Sequence, residues 1–415
     1  MARNVSLPLM CVLGVTVLAC ATDVEGGPAR LELAAGPGAA EPNLAVDAAG
    51  RVLVSWLEPT GPDSHALRFA RRPPGGSWSE PRTIAAGPHW FVNWADFPSI
   101  VALGGDTLAA HWLVRSGSGT YAYDVVMAIS ADGGATWSES FTPHTDGTRT
   151  EHGFVALFPA PAGGLGAVWL DGREMDGAGH GEEGGGGSGG AMTLRYARFA
   201  GMSPQPLDEA LLDDRVCDCC QNDAARVGDA VVVAYRDRSP GEIRDIAVRR
   251  GTRAGWEEPR LVHADGWRIP ACPVNGPAVA AWGESVAAAW FTAAADTPKV
   301  KVAFSDDGGR SFGTPVRVDG GSPEGRVDLQ VTGAGAAVVT WLERTADGAE
   351  VRARRVDASG RAGSPLVVTT TGAERASGFP RFVVAGEELV FAWTRVGRPS
   401  AVLTATLPAD RLAAP

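Results

Sequence analysis

The chain has 415 residues, of which 45% are hydrophobic, and a formal net charge of −11. This hydrophobic content is enough to bury a substantial core, which argues against disorder, and the acidic balance excludes the basic surface of a nucleic-acid-binding protein. The 54 glycines and 29 prolines lie in turn clusters along the whole chain, which favours an all-β fold.

The first twenty residues have the pattern of an export signal. Arg3 precedes a mostly apolar stretch at 5–19, which is too short to span a bilayer but suits a signal-peptide core. The stretch ends in Val-Leu-Ala-Cys20, which resembles the bacterial lipobox, and the resemblance implies that Cys20 is lipidated. We therefore expect a signal peptide at 1–20, a flexible tether at 21–28 and an exported protein anchored by lipid in the cell envelope, with Ala21 favouring the outer membrane. The alternative is an ordinary cleaved signal peptide with an incidental cysteine.

One sequence pattern recurs seven times after this tether. An apolar strand ends in an aromatic residue, and the aromatic positions are 51 to 66 residues apart. The seven residues are Trp56, Trp112, Trp169, Tyr235, Trp290, Trp341 and Trp393. A short apolar strand and a glycine-containing turn precede each one, and an alternating strand follows, so that each unit holds about four short strands. This is the organisation of a β-propeller blade.

The repeats predict a single β-propeller domain over 29–415, with seven blades, or six if one repeat is a separate hairpin. The seventh repeat has only three strands, the last at 401–407, and residues 29–34 have no blade of their own. We expect this N-terminal segment to supply the missing fourth strand and to close the ring.

Two turns share a sharper signature of serine, aspartate, paired glycines and an aromatic residue. Ser and Asp suit a hydrogen-bonded hairpin in which the glycines take positive φ. The residues are Ser130, Asp132, Gly134 and Trp137 in the first turn, and Ser305, Asp307, Gly309 and Phe312 in the second. Both turns resemble the Asp-box (BNR) repeat of sialidases, which implies a sialidase-like propeller and a structural role for these residues.

In a propeller, the loops that precede the first strand and follow the second strand of every blade share one face around the central funnel, here called the funnel face. Arginines and carboxylates are both abundant in these loops, which indicates either a binding surface or solvated loop charge. The candidates are Asn93, Trp94, Asp96, Glu151, His152, Asp171, Arg173, Cys217 to Asn222, Arg236 to Arg238, Arg244, Arg268 to Asn275, Glu324, Arg326, Glu343, Arg344, Glu374, Arg375 and Arg395.

The sialidase resemblance implies three arginines for the substrate carboxylate, an aspartate as acid and base, and a tyrosine nucleophile activated by a glutamate. The family's Arg-Ile-Pro motif is matched at Arg268, but here it opens the fifth repeat rather than the first blade, and no tyrosine follows Tyr235. Tyr235 occupies the aromatic position of its repeat, which favours core packing. The remaining catalytic candidates are Arg236, Asp237 and Arg344.

Four cysteines remain after export, three of them in the run Val-Cys217-Asp-Cys219-Cys220 and the fourth at Cys272. Since the two segments precede consecutive blades, we expect one spatial group at the funnel. Two disulfides suit an oxidising compartment, although one bridge must then join close neighbours in the chain. The alternatives are a thiolate site for copper or zinc, and a redox-active pair.

A glycine-rich insertion at 171–191 lengthens the third repeat. Met175, His180 and Met192 lie in or beside it, and such side chains bind copper outside the cytoplasm, so they are candidate accessory metal ligands. The alternative is a flexible loop with an incidental histidine.

Two functions follow from these patterns. The first is a binding module at the cell envelope, which we expect to be a monomer and whose funnel face takes an anionic ligand, a glycan, a metal ion or an envelope protein. The second is a sialidase-like glycoside hydrolase with a rearranged active site.

Overall fold

The seven repeated strands that end in a buried aromatic residue each form part of one sheet, as the repeat pattern predicts. The computed structural model describes residues 27–175, 190–333 and 335–414, and in these ranges the strands form seven antiparallel sheets. The prediction of a seven-bladed β-propeller is confirmed and the six-bladed alternative is wrong. The predicted signal peptide, the predicted lipidation site and most of the predicted tether lie outside the described residues. Within the described ranges, no helix is long and apolar enough to cross a membrane.

The blades follow one another along the chain. Blade 1 contains β2 (Ala40–Val46), β3 (Val52–Gly61), β4 (Ser64–Arg72) and β5 (Arg82–Pro88), and blade 2 contains β6 (Ser99–Gly104), β7 (Thr107–Arg115) and β8 (Tyr123–Ser130). Blade 3 contains β9 (His152–Pro159), β10 (Leu165–Asp171), β11 (Thr193–Phe199) and β12 (Pro206–Asp213), and blade 4 contains β13 (Asp223–Val227), β14 (Ala230–Arg236), β15 (Ile246–Thr252), β16 (Gly255–Trp256) and β17 (Arg260–Leu261).

The last three blades have the same order. Blade 5 contains β18 (Ala278–Trp282), β19 (Ser285–Thr292), β20 (Lys299–Ser305) and β21 (Val316–Arg317), and blade 6 contains β22 (Pro323–Val331), β23 (Ala336–Thr345), β24 (Gly348–Asp357) and β25 (Leu366–Thr371). Blade 7 contains β26 (Arg381–Ala385), β27 (Glu388–Arg395), β28 (Ala401–Pro408) and the N-terminal strand β1 (Ala29–Leu31). Short 3₁₀ turns lie at Arg173–Met175, Ala294–Asp296, Arg375–Ser377 and Ala409–Arg411.

The N-terminal strand closes the ring as predicted. β1 pairs antiparallel with β28, with Ala29 opposite Thr406 and Leu31 opposite Thr404. The Thr404 hydroxyl also donates to the Leu31 carbonyl oxygen at 2.9 Å. β1 is thus the outer strand of blade 7, and this pairing joins the first and last segments of the propeller in one sheet, which closes the ring. Blade 2 departs from the four-strand prediction, because its outer segment pairs with β8 only through a bridge between Met127 and Phe141.

The core lies between blades. Seven clusters of buried apolar side chains fill the interfaces between neighbouring blades, one for each interface. Each repeated aromatic residue lies on the second strand of its blade and is buried. Three of them donate the indole N–H to a carboxylate two residues later, for example Trp169 to Asp171 at 2.8 Å and Trp56 to Glu58 at 3.1 Å. Blade stacking therefore buries both faces of each sheet while these indoles keep a hydrogen-bond partner.

The two Asp-Gly-Gly turns follow the third strands of blades 2 and 5. In the first turn, the Gly134 N–H donates to Ser130 Oγ at 2.7 Å, and the Thr136 N–H donates to Asp132 Oδ1 at 2.9 Å. The second turn repeats these bonds around Ser305 and Asp307. Both turns lie at the end of the propeller opposite the funnel face, as structural hairpins do.

Candidate functional site

Polar side chains link the loops of the funnel face to one another. The Phe154 N–H donates to Asp96 Oδ1 at 2.7 Å and thereby joins blades 2 and 3. The Arg326 N–H donates to Asn275 Oδ1 at 2.7 Å, which joins blades 5 and 6. Gln221 spans further, because its side-chain amide donates to the Ala95 carbonyl oxygen at 2.7 Å. Residues of the funnel face therefore surround one centre, where the inner strands line a cavity of about 320 Å³.

The four cysteines lie together on this face, as the matching loop positions predict. Their sulfur atoms are all within 4.8 Å of one another. Cys217 pairs with Cys220 and Cys219 pairs with Cys272, at Cα–Cα distances of 5.7 and 6.2 Å. The first disulfide is buried, whereas Cys272 is exposed. As disulfides these sulfurs offer no thiolate, so the arrangement could hold copper or zinc only in its reduced form.

A charged network fixes the cysteine loop to the loop after β14. Arg238 lies 2.9 Å from both Asp218 and Glu242, and Arg244 contacts the same two carboxylates at 3.4 and 3.0 Å. Arg244 also lies 3.5 Å from Cys217 Sγ. These arginines neutralise neighbouring carboxylates and hold the loop rather than stand free for a ligand.

Two of the catalytic candidates make structural contacts. Arg236 is buried and donates to the carbonyl oxygens of Asn275, Arg244 and Phe291 at 2.9, 2.6 and 2.7 Å. Burial lowers the pKa of Arg236 to about 9. Tyr235 is buried in the interface between blades 3 and 4, and its hydroxyl donates to Asp213 at 2.7 Å. Both side chains hold the fold together.

The other candidates remain closer to solvent. Asp237 is half-buried, and burial together with the charge of Asp213 raises its pKa to about 6. Arg268 is exposed, and Arg344 is exposed and pairs with Glu324. Arg268 lies beside the loop after β14, because it forms an antiparallel bridge with Ile243, whereas Arg344 lies near the end of β23 in blade 6.

Two methionines predicted as accessory metal ligands have apolar surroundings. Met192 is fully buried in the hydrophobic cluster between blades 3 and 4, and Met175 packs against the same cluster. His180 lies outside the described residues.

A buried tyrosine between two carboxyl groups is absent from the sequence analysis. The Tyr123 hydroxyl lies 2.7 Å from Asp96 Oδ2 and 2.8 Å from Glu151 Oε1, and all three residues are buried. A hydroxyl has one proton, so it can donate to only one of the two, and the other contact requires a protonated carboxyl group. Burial raises the pKa of Asp96 to about 7. Tyr123 begins the third strand of blade 2, whereas the sequence prediction concerns the loops before first strands and after second strands.

The backbone leaves room for this group only because residue 153 is glycine. A Cβ on Gly153 would lie 1.9 Å from Asp96 Oδ2 and 2.9 Å from the Tyr123 hydroxyl. Neither distance is sterically allowed, so the glycine is required by close approach. In the sequence, the close approach of Asp96 and Tyr123 is indicated only by Gly153, which follows Glu151 and His152.

A second group missed by the sequence analysis contains His144. Its ring stacks on that of His152, with the ring centroids 3.9 Å apart. Asp124, Asp146 and Asp171 surround the pair. Chain spacing gave no sign of it, since the five residues come from two blades and the loop between them.

The funnel face also carries exposed arginines from several blades. Six of them lie in loops that precede first strands or at the ends of second strands, where the fold places the funnel face. They are Arg115, Arg149, Arg268, Arg344, Arg375 and Arg395. Exposed carboxylates such as Asp63 and Glu374 share this face.

Comparison with known proteins shows the fold and no family. No family model and no curated protein matches the sequence. A polysaccharide lyase of family PL25, an ulvan lyase, is similar with a TM-score of 0.59 and 12% identity, over 91% of this chain and 95% of the lyase. The α-L-arabinofuranosidase Arb93A from Fusarium graminearum has a TM-score of 0.51 and 12% identity, over 92% of this chain and 98% of that enzyme.

Sialidases are among the similar structures. The NanB sialidase from Streptococcus pneumoniae has a TM-score of 0.50 and 12% identity, over 93% of this chain and 71% of the sialidase. At these identities the likeness is one of fold. The chain is thus an all-β, seven-bladed propeller with an architecture also found in sialidases and polysaccharide lyases.

Proposed function

We propose that this protein is a binding module whose funnel face takes an anionic glycan. The observation that carries the proposal is the ring of exposed arginines on a face whose buried charged groups are already engaged in structural contacts. Guanidinium groups bind carboxylates and sulfates through paired N–H donors, and several such contacts along one chain add up to useful affinity. The similar structures named above act on glycans, which fits this ligand class.

Binding is favoured over hydrolysis because two of the groups best suited to chemistry, Tyr123 and Arg236, are buried away from solvent. Tyr123 has an exposed fraction of 1% and Arg236 of 2%. A nucleophile must come within reach of the bond that it attacks, and a sugar cannot approach side chains buried to this degree.

The test is a binding assay on the full-length protein in detergent. We expect it to bind an acidic polysaccharide rich in sulfate or uronate, with an affinity that falls as salt is added, and not a neutral one. The double variant Arg268→Ala/Arg375→Ala should bind at least about tenfold more weakly, which is roughly 1.4 kcal/mol. Arg310→Ala is the matched control, because this exposed arginine lies in the second Asp-Gly-Gly turn, at the other end of the propeller. Equal loss in the control, or no binding to acidic polysaccharides, would refute the proposal.

A sialidase-like hydrolase is the second candidate. It is favoured by one observation, the Tyr123 hydroxyl held between the carboxyl groups of Asp96 and Glu151. Hydrolysis of a fluorogenic sialoside that is lost in Tyr123→Phe and retained in Arg310→Ala would establish this candidate. A protein that binds acidic glycans and hydrolyses none of them would exclude it.

We further propose that lipid on Cys20 holds the module on the cell envelope. The lipobox-like sequence before this residue supports the proposal. Incorporation of labelled fatty acid in the host, and its loss in Cys20→Ser, is the expected result. Release of the unlabelled, unaltered protein into the medium would contradict it.

A further inference from the structure

The four cysteines of the funnel face differ in their exposure to solvent, although their sulfur atoms all lie within 4.8 Å of one another. Cys217 and Cys220, which form one bridge, have exposed fractions of only 1% and 2%. Cys219 is half-buried and Cys272 is exposed, so the bridge between them is the outer one. While the protein is folded, a large reagent in solution can therefore reach the outer bridge directly but not the buried bridge.

The segment that contains Cys272 is accessible from solvent. Pro270 and Ala271, which precede it, are exposed as well. Thiol–disulfide exchange requires a thiolate to reach one sulfur atom of the bridge, and access to that atom limits the rate. We therefore expect an external thiolate to attack Cys272 Sγ rather than a sulfur of the buried bridge.

Hydrogen bonds that involve no sulfur hold the two cysteine segments in place. The Gly276 N–H donates to Gln221 Oε1 at 3.0 Å, which links the segment after Cys272 to the segment after Cys220. The Cys217 N–H donates to a backbone carbonyl oxygen at the end of β14 at 2.9 Å. When the outer bridge opens, its two sulfurs therefore stay close to the buried bridge.

An arginine favours one of the buried sulfurs as a thiolate. The Arg244 side chain is 3% exposed, and its guanidinium lies 3.5 Å from Cys217 Sγ. Asp218 and Glu242 contact the same guanidinium, but Arg238 pairs with both of these carboxylates as well. The two arginines balance the two carboxylates, so the positive charge of Arg244 remains available to the sulfur. A guanidinium beside a thiolate stabilises it, which makes Cys217 a good leaving group.

We propose that the four cysteines form a thiol–disulfide exchange site that oxidises the dithiol of a peptide or protein. A substrate thiolate attacks Cys272 Sγ, the bond to Cys219 breaks, and Cys219 leaves as a thiolate with the electron pair of that bond. The second substrate thiolate attacks the substrate sulfur of the mixed disulfide, forms the substrate disulfide and releases Cys272. The substrate gives up two electrons and two protons, and the opened outer bridge takes them up as two thiols.

The electron pair then passes to the buried bridge. The Cys272 thiolate attacks Cys220 Sγ, and Cys217 leaves as a thiolate beside Arg244. Cys219 next attacks Cys272 Sγ in the new bond, which restores the outer bridge and releases Cys220. This internal exchange gains and loses no electrons, and the restored outer bridge can oxidise a second dithiol.

The experiment treats the oxidised full-length protein with less than one equivalent of a synthetic peptide that carries two thiols and is too large to reach a buried bridge. Excess maleimide stops the exchange and labels free thiols, and tandem mass spectrometry of the digest locates the labels. We expect some singly reduced molecules to be labelled at Cys219 and Cys272. We expect others to be labelled at Cys217 and Cys220, with the outer bridge intact. Tryptophan fluorescence before the maleimide is added verifies that the protein stays folded.

The double variant Cys219→Ser/Cys272→Ser is the matched comparison, because it lacks the outer bridge and keeps the buried one. When circular dichroism shows this variant to be folded, the same peptide should leave its buried bridge oxidised. In the wild type, two equivalents should reduce both bridges. The readout is cysteine labelling and involves none of the exposed arginines proposed to bind a glycan, so this proposal and glycan binding fail independently.

Two results would overturn the proposal. One is label confined to Cys219 and Cys272 in the folded wild-type protein, which would mean that the two bridges do not exchange. This measurement needs no variant, so it decides the question even when the double variant does not fold. The other is reduction of the buried bridge in the folded double variant at the rate seen in the wild type.

Discussion

The carboxyl group of Asp96 gives a sharp prediction about pH. Its Oδ1 accepts the Phe154 N–H and its Oδ2 lies 2.7 Å from the Tyr123 hydroxyl. Burial raises its pKa from the ordinary 3.8 to about 7, so the folded protein keeps a proton on Asp96 in a range where the unfolded chain has lost it. This contribution to stability is complete below about pH 4 and is lost as pH rises to about 7.

The magnitude follows from the two pKa values. They differ by about 3, which corresponds to roughly 4 kcal/mol of unfolding free energy between pH 4 and pH 8. Asp96→Asn should remove this loss, because an amide cannot ionise. Its oxygen can accept the Phe154 N–H and its NH₂ can donate to the Tyr123 oxygen, as the protonated acid does. We therefore expect the variant to match the wild type within about 1 kcal/mol at pH 4.5 and to be more stable at pH 8.

Urea unfolding followed by tryptophan fluorescence at several pH values between 4.5 and 8 measures this difference. Other buried carboxyl groups, such as Asp223 with its pKa raised to about 6, add to the wild-type slope. The difference in slope between the variant and the wild type therefore measures the effect of the Asp96 charge, including its effect on the neighbouring Glu151. Asp307→Asn is the control: hydrogen bonds lower the pKa of Asp307 to about 2, and its stabilising effect is lost only as pH falls below this range. Parallel pH slopes for Asp96→Asn and wild type would refute the reasoning.

Three further predictions concern the fold. Gly134→Ala should lower the free energy of unfolding by about 2–4 kcal/mol, because φ is +74° and the new Cβ would lie 2.4 Å from Phe69 Cζ. Gly147 has the same φ but open space around it, so Gly147→Ala should lower this free energy by only about 1 kcal/mol, as measured by urea unfolding. Equal costs would contradict the packing argument. Deletion of Ala29–Leu31 should lower the melting temperature by several degrees, and an unchanged value would mean that β1 does not close the ring. Cys272→Ser should cost about 2–4 kcal/mol, because its disulfide spans 53 residues, and an unaltered stability would show that this bridge does not form.

The fold could be predicted because the same pattern of buried residues recurs in every blade of a propeller. Each blade needs an apolar second strand against its neighbours, and an aromatic residue such as Trp56 or Trp341 ends it in the same place every time. The outer strand is less constrained, since it is half-exposed and packs on one blade only. This is why the irregular outer edge of blade 2 was not predicted.

The candidate sites were predictable only in part. The cysteines were found because both segments precede a blade, which brings them to neighbouring positions on the ring. Tyr123 and His144 were missed because their partners come from other blades, and the distance between such residues depends on the curvature of the ring rather than on chain spacing. Arg236 shows the opposite case, because the sequence predicts a catalytic role that the structure does not support. The side chain is buried and donates to three backbone carbonyl oxygens, so its role is structural.

The same polar links that hold the funnel face together limit what the protein can do there. Asp96, Asn275 and Arg326 each join one blade to the next through a buried hydrogen bond, and each would leave an unpaired polar group if it turned to a ligand. Such a change costs about 1–3 kcal/mol for each group, which a weak ligand cannot supply. We therefore expect ligands to bind side chains that do not contribute to the stability of the fold. On this face the exposed arginines satisfy that condition, which is why we place glycan binding there and not in the central cavity.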